Sequence, residues 1–195
     1  MPIYSRRSIR KYSSKEVSLE IMDEILDAGR VAPSAKNRQP WKYIVFGGEK
    51  KKELLDVMER GIRREENEKA LLPNSKYGIP DAKNTLRIMR NAPMIIIVEN
   101  TNGSSPFEEI DADRRITEIC DILSIGASIE NILLKAEELG VGTLWIANTC
   151  FAYQELVTYL GIQGQLIGAI AVGYAEEEPA ARPRKSIEEI VEYRV

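Results

Sequence analysis

The 195-residue sequence contains no histidine. This absence excludes catalysis by a Ser-His or Cys-His nucleophile, and metal binding through histidine, within this sequence. Cysteine is scarce as well, since Cys120 and Cys150 lie far apart, form no CxxC pattern and sit among apolar residues. We interpret both as small buried hydrophobic residues of a protein in a reducing, cytoplasmic compartment, and we expect no metal site. If the chain is an enzyme, a bound organic cofactor is expected to carry the difficult chemistry.

Long apolar runs and a strong net charge are also absent. The strongest apolar run, Met94–Val98, is far too short to cross a bilayer, and no apolar signal segment follows the charged N-terminal residues. The net charge is −3, without a long basic stripe, which argues against nucleic acid as a partner. We therefore expect one soluble domain over residues 1–195, with neither a membrane nor a nucleic-acid partner.

Basic residues are concentrated near the two ends of the chain. One cluster is Arg6-Arg7-Ser8-Ile9-Arg10-Lys11, the other is Arg182-Pro183-Arg184-Lys185, and a loop rich in amides and hydroxyls (residues 32–41) lies between them. If folding brings the ends together, several guanidinium groups converge on one point, an arrangement that suits a phosphate. The amides of Asn37 and Gln39 could then read a polar ring attached to that phosphate. Solvation of both clusters is the alternative, and it is the commoner fate of charge runs.

Apolar periodicity and turn residues predict an uneven mixture of helices and strands. This mixture favours an α+β domain with a mixed sheet over a regular doubly wound one. Residues 65–82 are predicted to form a flexible segment or lid, because Pro73, Gly78 and Pro80 interrupt a weak pattern. We predict helices over 18–32, 50–64, 83–90, 111–139, 153–160 and 186–191, and strands over 41–46, 94–99, 142–147 and 166–174.

The predicted helix over 111–139 is apolar on nearly every face between Ile119 and Ala136. Such a helix must be buried in the protein or in a subunit interface, and we favour the interface. Gly140 is expected to end the helix. The tail Glu192–Val195 could add as a strand to the sheet edge of a neighbouring subunit.

Four sequence pieces, in this order, resemble the nitroreductase family of flavin-mononucleotide (FMN) enzymes. They are RRSIRKY at the start, PSAKNRQPW before a strand, ELGVGTLWI after the long helix, and AVGY with RPRKSIEEIV near the end. Together they span almost the whole chain. The resemblance implies a nitroreductase-like three-layer α/β/α sandwich, with a central mixed, largely antiparallel sheet and a long buried central helix.

The resemblance also implies where FMN would bind. The phosphate is expected at the two basic clusters, and Arg10 at the pyrimidine side of the flavin, where its charge would stabilise the reduced ring. The loop after the first long helix would contact the flavin partly across a dimer interface, with Gln39 supporting the loop. The backbone after Trp145-Ile146 would face the flavin near N5, and no side chain is assigned as catalytic with certainty. The implied cofactor-binding residues are Arg6, Arg7, Ser8, Arg10, Pro33, Ser34, Ala35, Asn37, Gln39, Trp145, Ile146, Ala147, Asn148, Arg182, Arg184 and Lys185.

The function that the resemblance implies is hydride transfer from NADH or NADPH, through bound FMN, to a nitroaromatic, quinone or related small electrophile. Because the sequence has no GxGxxG motif for a separate dinucleotide site, donor and electrophile are expected to alternate at one site of a homodimer. Reductive dehalogenation, conversion of the flavin itself, and a non-catalytic flavin-binding dimer are the alternatives.

Two further expectations concern single residues. Where the family often has a glycine pair, this chain has Ala147-Asn148, and the Asn148 side chain could narrow access to the flavin or bind the substrate. Trp41 and Trp145 are interpreted as core residues rather than as stacking partners.

Overall fold

A computed structural model gives the structure of residues 1–67 and 70–195. Short 3-10 helices lie at Ala35–Asn37, Pro73–Gly78 and Asn148–Ala152. The α-helices are α1 (Pro2–Ser5), α2 (Leu19–Arg30), α3 (Gly48–Asn67), α4 (Ile79–Asn91), α5 (Ala112–Glu138), α6 (Tyr153–Leu160) and α7 (Ile187–Ile190), and the strands are β1 (Trp41–Phe46), β2 (Met94–Asn100), β3 (Gly142–Ile146) and β4 (Gln165–Gly173).

The four strands form one sheet in the order β1-β2-β4-β3, and each neighbouring pair is antiparallel. The central strands β2 and β4 are almost entirely buried, which explains their continuous apolar runs. A single parallel bridge joins Ser8 to Thr143 at the start of β3. The prediction of a largely antiparallel sheet is confirmed, and the parallel pairing among the described residues is limited to this isolated bridge.

Helices cover both faces of the sheet and form two separate cores. Ile95 and Ile97 of β2 point into a core that includes residues of α3, α4 and α6. Ile96 and Val98 point to the opposite face, into a core that includes residues of α2 and α5. This alternation follows from the two-residue period of a strand, and it gives the predicted three-layer α/β/α sandwich.

Helix α5 matches the predicted long central helix. It begins after Asp111, whose side chain accepts a hydrogen bond from the Arg114 backbone N–H at 2.8 Å. It ends in a Schellman motif, in which Gly140 has a φ of 70° and its N–H donates to the Glu137 carbonyl. One face packs on the sheet, while the opposite face leaves apolar side chains exposed in the single chain, namely Ile116, Ile119, Ile122 and Leu123.

The segment over residues 65–82 is more regular than predicted. Helix α3 continues to Asn67, Pro73 opens a 3-10 helix, and α4 begins at Ile79 with Pro80 in its first turn. A proline is accepted in the first turn of a helix because the N–H that it lacks would have no partner inside the helix there. The described residues of this segment are therefore mostly helical, and its role as a flexible segment or lid stays a prediction, while Glu68 and Lys69 lie outside the described residues.

The chain ends differ in smaller ways from the prediction. Helix α1 was not predicted, and residues 191–195 form no strand in the described single chain, so strand addition by the tail stays a prediction. Among the described residues, no helix combines the length and the apolar character that a membrane span requires.

Candidate functional site

The two basic clusters meet at one cavity of about 250 Å³, referred to below as the terminal cavity. The N-terminal cluster forms one wall and residues 179–184 form the other. Lys185, which was predicted to join this group, is exposed and does not line the cavity. The residues that line the terminal cavity are Ile3, Tyr4, Arg6, Arg7, Ser8, Arg10, Pro179, Ala180, Ala181, Arg182 and Arg184.

Backbone pairing with β3 places the N-terminal wall. The Ile9 N–H donates to the Thr143 carbonyl at 2.9 Å, next to the parallel bridge between Ser8 and Thr143. The Ile9 side chain is buried against Gly142, where a Cβ atom would lie 2.8 Å from its Cγ1 atom. Gly142 is therefore required for the close approach of the N-terminal segment to the sheet.

A second pairing joins the N-terminal segment to the chain after β4. The Ser13 N–H donates to the Tyr174 carbonyl at 2.9 Å, and the Glu176 N–H donates to the Lys11 carbonyl at 3.0 Å. These bonds flank an antiparallel bridge between Tyr12 and Ala175. Because residues 179–184 follow directly, this pairing brings the distal arginines to the N-terminal cluster.

Tyr12 anchors this pairing in the core. Its side chain is 7% exposed, and its hydroxyl donates to the Ile9 carbonyl at 2.7 Å. Burial, and secondarily the negative charge of Glu177, raise the pKa of the phenol, although Arg10 opposes the shift. Tyr12 therefore stays protonated and keeps donating across the physiological pH range.

The arginines of the terminal cavity are held mainly by backbone carbonyls. Arg7 Nη1 donates to three successive carbonyls, those of residues 4 to 6, at 2.8 to 2.9 Å. Arg10 Nη1 donates to the Ser8 carbonyl at 3.1 Å, and Arg184 Nη1 donates to the Arg182 carbonyl at 3.3 Å. Carbonyl contacts orient a guanidinium without neutralising its charge.

The terminal cavity is strongly cationic. Five arginines line it, and the described residues of its lining include no carboxylate. Arg6 also pairs with Glu130 on α5, at 3.4 Å. Planar guanidinium groups on two opposite walls, together with the Ser8 hydroxyl, can bind a doubly charged oxyanion such as a phosphate group through charge-assisted hydrogen bonds.

The loop at residues 32–41 has a strained backbone. Lys36, Asn37 and Gln39 have φ values of 52°, 53° and 48°, a region that residues other than glycine rarely adopt. Each such residue costs about 1–3 kcal/mol and persists only where the surroundings enforce it. Strain of this kind is common at ligand clamps, and the contact of this loop with a ligand stays a prediction.

Short-range hydrogen bonds enforce this conformation. The Gln39 N–H donates to Ser34 Oγ at 3.0 Å, and Gln39 Nε2 donates to Asn37 Oδ1 at 3.2 Å. The Ala35 N–H donates to Ser124 Oγ of α5 at 3.1 Å. The structure thus gives Gln39 the loop-supporting contacts that the prediction assigned to it, while Pro33 precedes the strained residues.

An ion pair that the sequence reasoning missed also anchors this loop. Arg38 Nε donates to Asp121 Oδ1 of α5 at 2.8 Å, and the Asp121 side chain is only 1% exposed. The available signal was a carboxylate at a position of α5 that is otherwise flanked by apolar residues. A buried carboxylate needs a cation, and the loop supplies one.

The predicted site residues at the end of β3 and directly after it do not line the terminal cavity. Ile146 is buried, whereas Trp145 is 45% exposed, so the expectation that Trp145 is a core residue is wrong for the single chain. Trp41, in contrast, packs against the core on the α5 side. The Asn148 side-chain amide points to α4, where its Nδ2 donates to Asp81 Oδ2 at 2.8 Å and to Thr85 Oγ1 at 2.9 Å.

Of the three predicted parts of the site, only the basic clusters line the terminal cavity in the described chain. The lining of the terminal cavity includes no residue of 33–39 or of 145–148. Helix α5 connects two of these parts, because Glu130 contacts Arg6 and Ser124 contacts the strained loop. Ser124 and Glu130 are six residues apart on α5, which separates these two contacts by about 9 Å along the helix axis.

Neither cysteine has the features of a nucleophile. Cys150 packs at the margin of the core, and burial raises the pKa of its thiol. Cys120 is partly buried, and its carbonyl accepts a hydrogen bond from Ser124. Over residues 1–67 and 70–195, no group of His, Cys, Asp and Glu side chains could hold a metal ion.

Comparison with known proteins agrees with this architecture over almost the whole chain. A protein of Archaeoglobus fulgidus, provisionally named as an NADH dehydrogenase/NAD(P)H nitroreductase, is 29% identical and covers 90% of this chain and 84% of its own length. The crystal structure of a BluB-like flavoprotein from Clostridium difficile 630 has a TM-score of 0.80, with 26% identity over 100% of this chain and 97% of that one. A provisionally assigned nitroreductase from Desulfovibrio desulfuricans, solved in complex with FMN, has a TM-score of 0.71, with 25% identity over 100% of this chain and 95% of that one.

The match to a family model decides the assignment. The model for the nitroreductase family matches residues 3–174, from the N-terminal basic cluster through β4. By this match, and with the three-layer fold described above, the chain belongs to the nitroreductase family.

Proposed function

We propose that this chain is an FMN-dependent oxidoreductase that uses NADH or NADPH to reduce a nitroaromatic, a quinone or a related small electrophile. The observation that carries the proposal is the meeting of both basic clusters at the terminal cavity. Relatives named for NAD(P)H nitroreductase activity, and a similar structure solved with FMN, support the choice of cofactor and donor.

The donor set of the terminal cavity fits the phosphate of FMN. Arg6, Arg182 and Arg184 supply guanidinium groups from two walls, and Ser8 supplies a hydroxyl. Arg10 lines the same cavity, and we propose that it lies at the pyrimidine side of the flavin. Arg7 contributes charge, although its Nη1 atom is already bonded to three carbonyls. Bound FMN supplies the hydride acceptance and donation that the side chains of this histidine-free chain do not offer.

The chain's own residues then orient the cofactor and exclude water. The strained loop, with Ser34, Ala35 and Asn37, is proposed to contact the flavin ring, as is the backbone of Ala147 and Asn148. Because these segments do not line the terminal cavity of the described chain, we propose that a second subunit completes the site. The exposed apolar face of α5 supports a homodimer, since such a face is normally covered.

Other candidate functions stay within the same fold. The likeness to a BluB-like flavoprotein, at a TM-score of 0.80, supports the binding of a flavin. Conversion of the bound flavin, reductive dehalogenation and non-catalytic flavin binding are the alternatives that the family resemblance implies. The reducing compartment inferred from the two free cysteines supports a cytoplasmic location.

The absorption spectrum of the purified protein tests the proposal. We expect flavin bands that NADH or NADPH bleaches without oxygen and that a nitroaromatic or quinone restores. Loss of the flavin under oxygen, with a benzimidazole product, would favour conversion of the flavin. Bound FMN that neither nucleotide bleaches would indicate a binding protein, and protein that ignores added FMN would overturn the proposal.

A further inference from the structure

Glu177 lies in a run of three glutamates, two residues before the wall of the terminal cavity that begins at Pro179. Its neighbours Glu176 and Glu178 are exposed, whereas Glu177 is partly buried. The sequence alone does not distinguish the three glutamates. The structure separates them by what their carboxylates contact.

The Glu177 carboxylate replaces a backbone acceptor where the pairing of the two chain ends stops. In the register set by the bridge between Tyr12 and Ala175, Arg10 lies opposite Glu177. Glu177 Oε1 accepts the Arg10 N–H at 2.5 Å and the Lys11 N–H at 3.0 Å. One carboxylate oxygen thus satisfies two consecutive backbone donors that the ladder no longer pairs.

These two bonds act at the point where the walls of the terminal cavity diverge. Arg10 belongs to one wall, and the opposite wall begins at Pro179, two residues after Glu177. A carboxylate that accepts two N–H groups forms charge-assisted bonds, which are stronger and shorter than neutral ones. Glu177 therefore joins both walls through a single side chain.

We propose that Glu177 is a positioning residue that sets the separation between the two arginine-bearing walls of the terminal cavity. Its effect on FMN rests on the proposed function, whereas its effect on the backbone does not. The two hydrogen bonds that Glu177 accepts should strengthen FMN binding, because they hold the walls in place. Its negative charge should weaken FMN binding, because an anion beside Arg10 reduces the attraction for a phosphate. Geometry and charge can therefore be separated by substitution.

Three variants make this separation. Glu177→Ala removes both bonds, and we expect the Kd for FMN to rise about tenfold, as for the loss of charged hydrogen bonds. Glu177→Gln keeps an oxygen acceptor without the charge, and its Kd should stay within about threefold of the wild type. Glu178→Ala, the exposed neighbour, should leave the Kd unchanged. A Glu177→Ala variant that binds FMN as well as the wild type, or more tightly, would overturn the proposal.

Hydrogen exchange tests the same inference without FMN. In the cofactor-free protein, the amides of Arg10 and Lys11 should exchange about tenfold faster in Glu177→Ala than in Glu178→Ala. The exchange rates of these amides in Glu177→Gln should lie between those in Glu177→Ala and Glu178→Ala. If Glu177→Ala does not fold, the comparison of Glu177→Gln with Glu178→Ala tests the inference. If FMN does not bind at all, the proposed function fails while the exchange data still decide the role of Glu177. Equal exchange rates in every variant would rule that role out.

Discussion

The Arg38 guanidinium meets the buried Asp121 carboxylate through one oxygen, and this pair joins the strained loop to α5. Both Nε and Nη2 of Arg38 lie 2.8 Å from Asp121 Oδ1. Among the described residues, Asp121 Oδ2 has no hydrogen-bond partner. The two side chains also differ in burial, since Asp121 is 1% exposed and Arg38 is 26% exposed.

This difference in burial predicts an asymmetric cost of mutation. Arg38→Met leaves a buried carboxylate without a cation, and we expect the free energy of unfolding to fall by about 3 kcal/mol. Asp121→Asn keeps an oxygen acceptor beside an arginine that is 26% exposed, and it should cost about 1 kcal/mol. Urea unfolding at pH 7 measures both values.

The double variant Arg38→Met/Asp121→Asn serves as the control. Because it removes both charges, it should recover part of the loss caused by Arg38→Met alone. Equal costs for the two single variants would mean that the Asp121 carboxylate is not buried as described.

A second buried carboxylate predicts a pH dependence. Glu65 on α3 is 1% exposed and accepts a hydrogen bond from Arg64 at 2.5 Å and from the Leu71 and Leu72 N–H groups at 2.8 and 3.2 Å. Burial by itself raises the pKa of Glu65, but the Arg64 and backbone hydrogen bonds outweigh burial and lower it below the ordinary value of 4.5. The contribution of Glu65 to stability is therefore complete above that ordinary pKa and is lost as the pH falls through the lowered pKa.

We expect Glu65→Gln to lower the free energy of unfolding by about 2 kcal/mol at pH 7, since it weakens charged hydrogen bonds. The difference from the wild type should shrink at pH 3, below the ordinary pKa of 4.5, because protonation of Glu65 in the unfolded chain removes part of the stabilisation. Glu66→Gln is the matched control, because the exposed Glu66 contacts only Lys83 in the described structure and its loss should cost under about 1 kcal/mol. A difference that is the same at pH 7 and pH 3 would contradict the charged state assigned to Glu65.

These two carboxylates show where sequence reasoning stops. The bounds of β1 and the course of α5 were predictable, because apolar periodicity and capping residues are local signals. The partners of Asp121, Glu65 and Glu177 were not, since each carboxylate contacts backbone or side chains that only tertiary folding brings near. The convergence of the two basic clusters came from the family resemblance rather than from any local pattern.

The exposure of Trp145 has a similar explanation. Strand β3 is at the edge of the sheet, and its pattern of buried and exposed residues depends on what covers that edge. Sequence periodicity alone cannot reveal whether that cover belongs to the same chain or to a second subunit.

The contact between Asn148 and α4 predicts an effect of added charge. Asn148→Asp places a carboxylate where Nδ2 now donates to Asp81 Oδ2 at 2.8 Å. Repulsion should lower the free energy of unfolding by about 1 kcal/mol at pH 7. Two neighbouring carboxylates raise the pKa of one of them, so the loss should diminish as the pH falls through that raised value.

The variant Asp81→Asn in the Asn148→Asp background removes this repulsion and should restore stability at pH 7. The rates at which Asn148→Ala and the wild type reduce a large and a small nitroaromatic would test whether this contact affects substrate access. A pH-independent loss in Asn148→Asp would show that the two side chains are not neighbours.

Arg10 allows the proposed position of the flavin to be tested. It lines the terminal cavity with Arg6 and Arg184, whereas the family resemblance places it at the pyrimidine side of the ring. A cation at the pyrimidine stabilises the negative charge of the reduced flavin, but a cation at the phosphate acts equally on both oxidation states. The two positions therefore differ in their effect on the reduction potential.

We expect Arg10→Ala to weaken FMN binding about tenfold and to shift the two-electron potential about 30 mV more negative, which corresponds to about 1.4 kcal/mol. Arg184→Ala, on the opposite wall, should weaken binding by a similar factor without moving the potential. Spectroelectrochemical titration of both variants measures the shift, and Arg194→Ala, an exposed arginine outside the cavity lining, should match the wild type in both properties. Weaker binding with an unchanged potential in Arg10→Ala would assign Arg10 to the phosphate, and an unchanged Kd would remove it from the flavin site altogether.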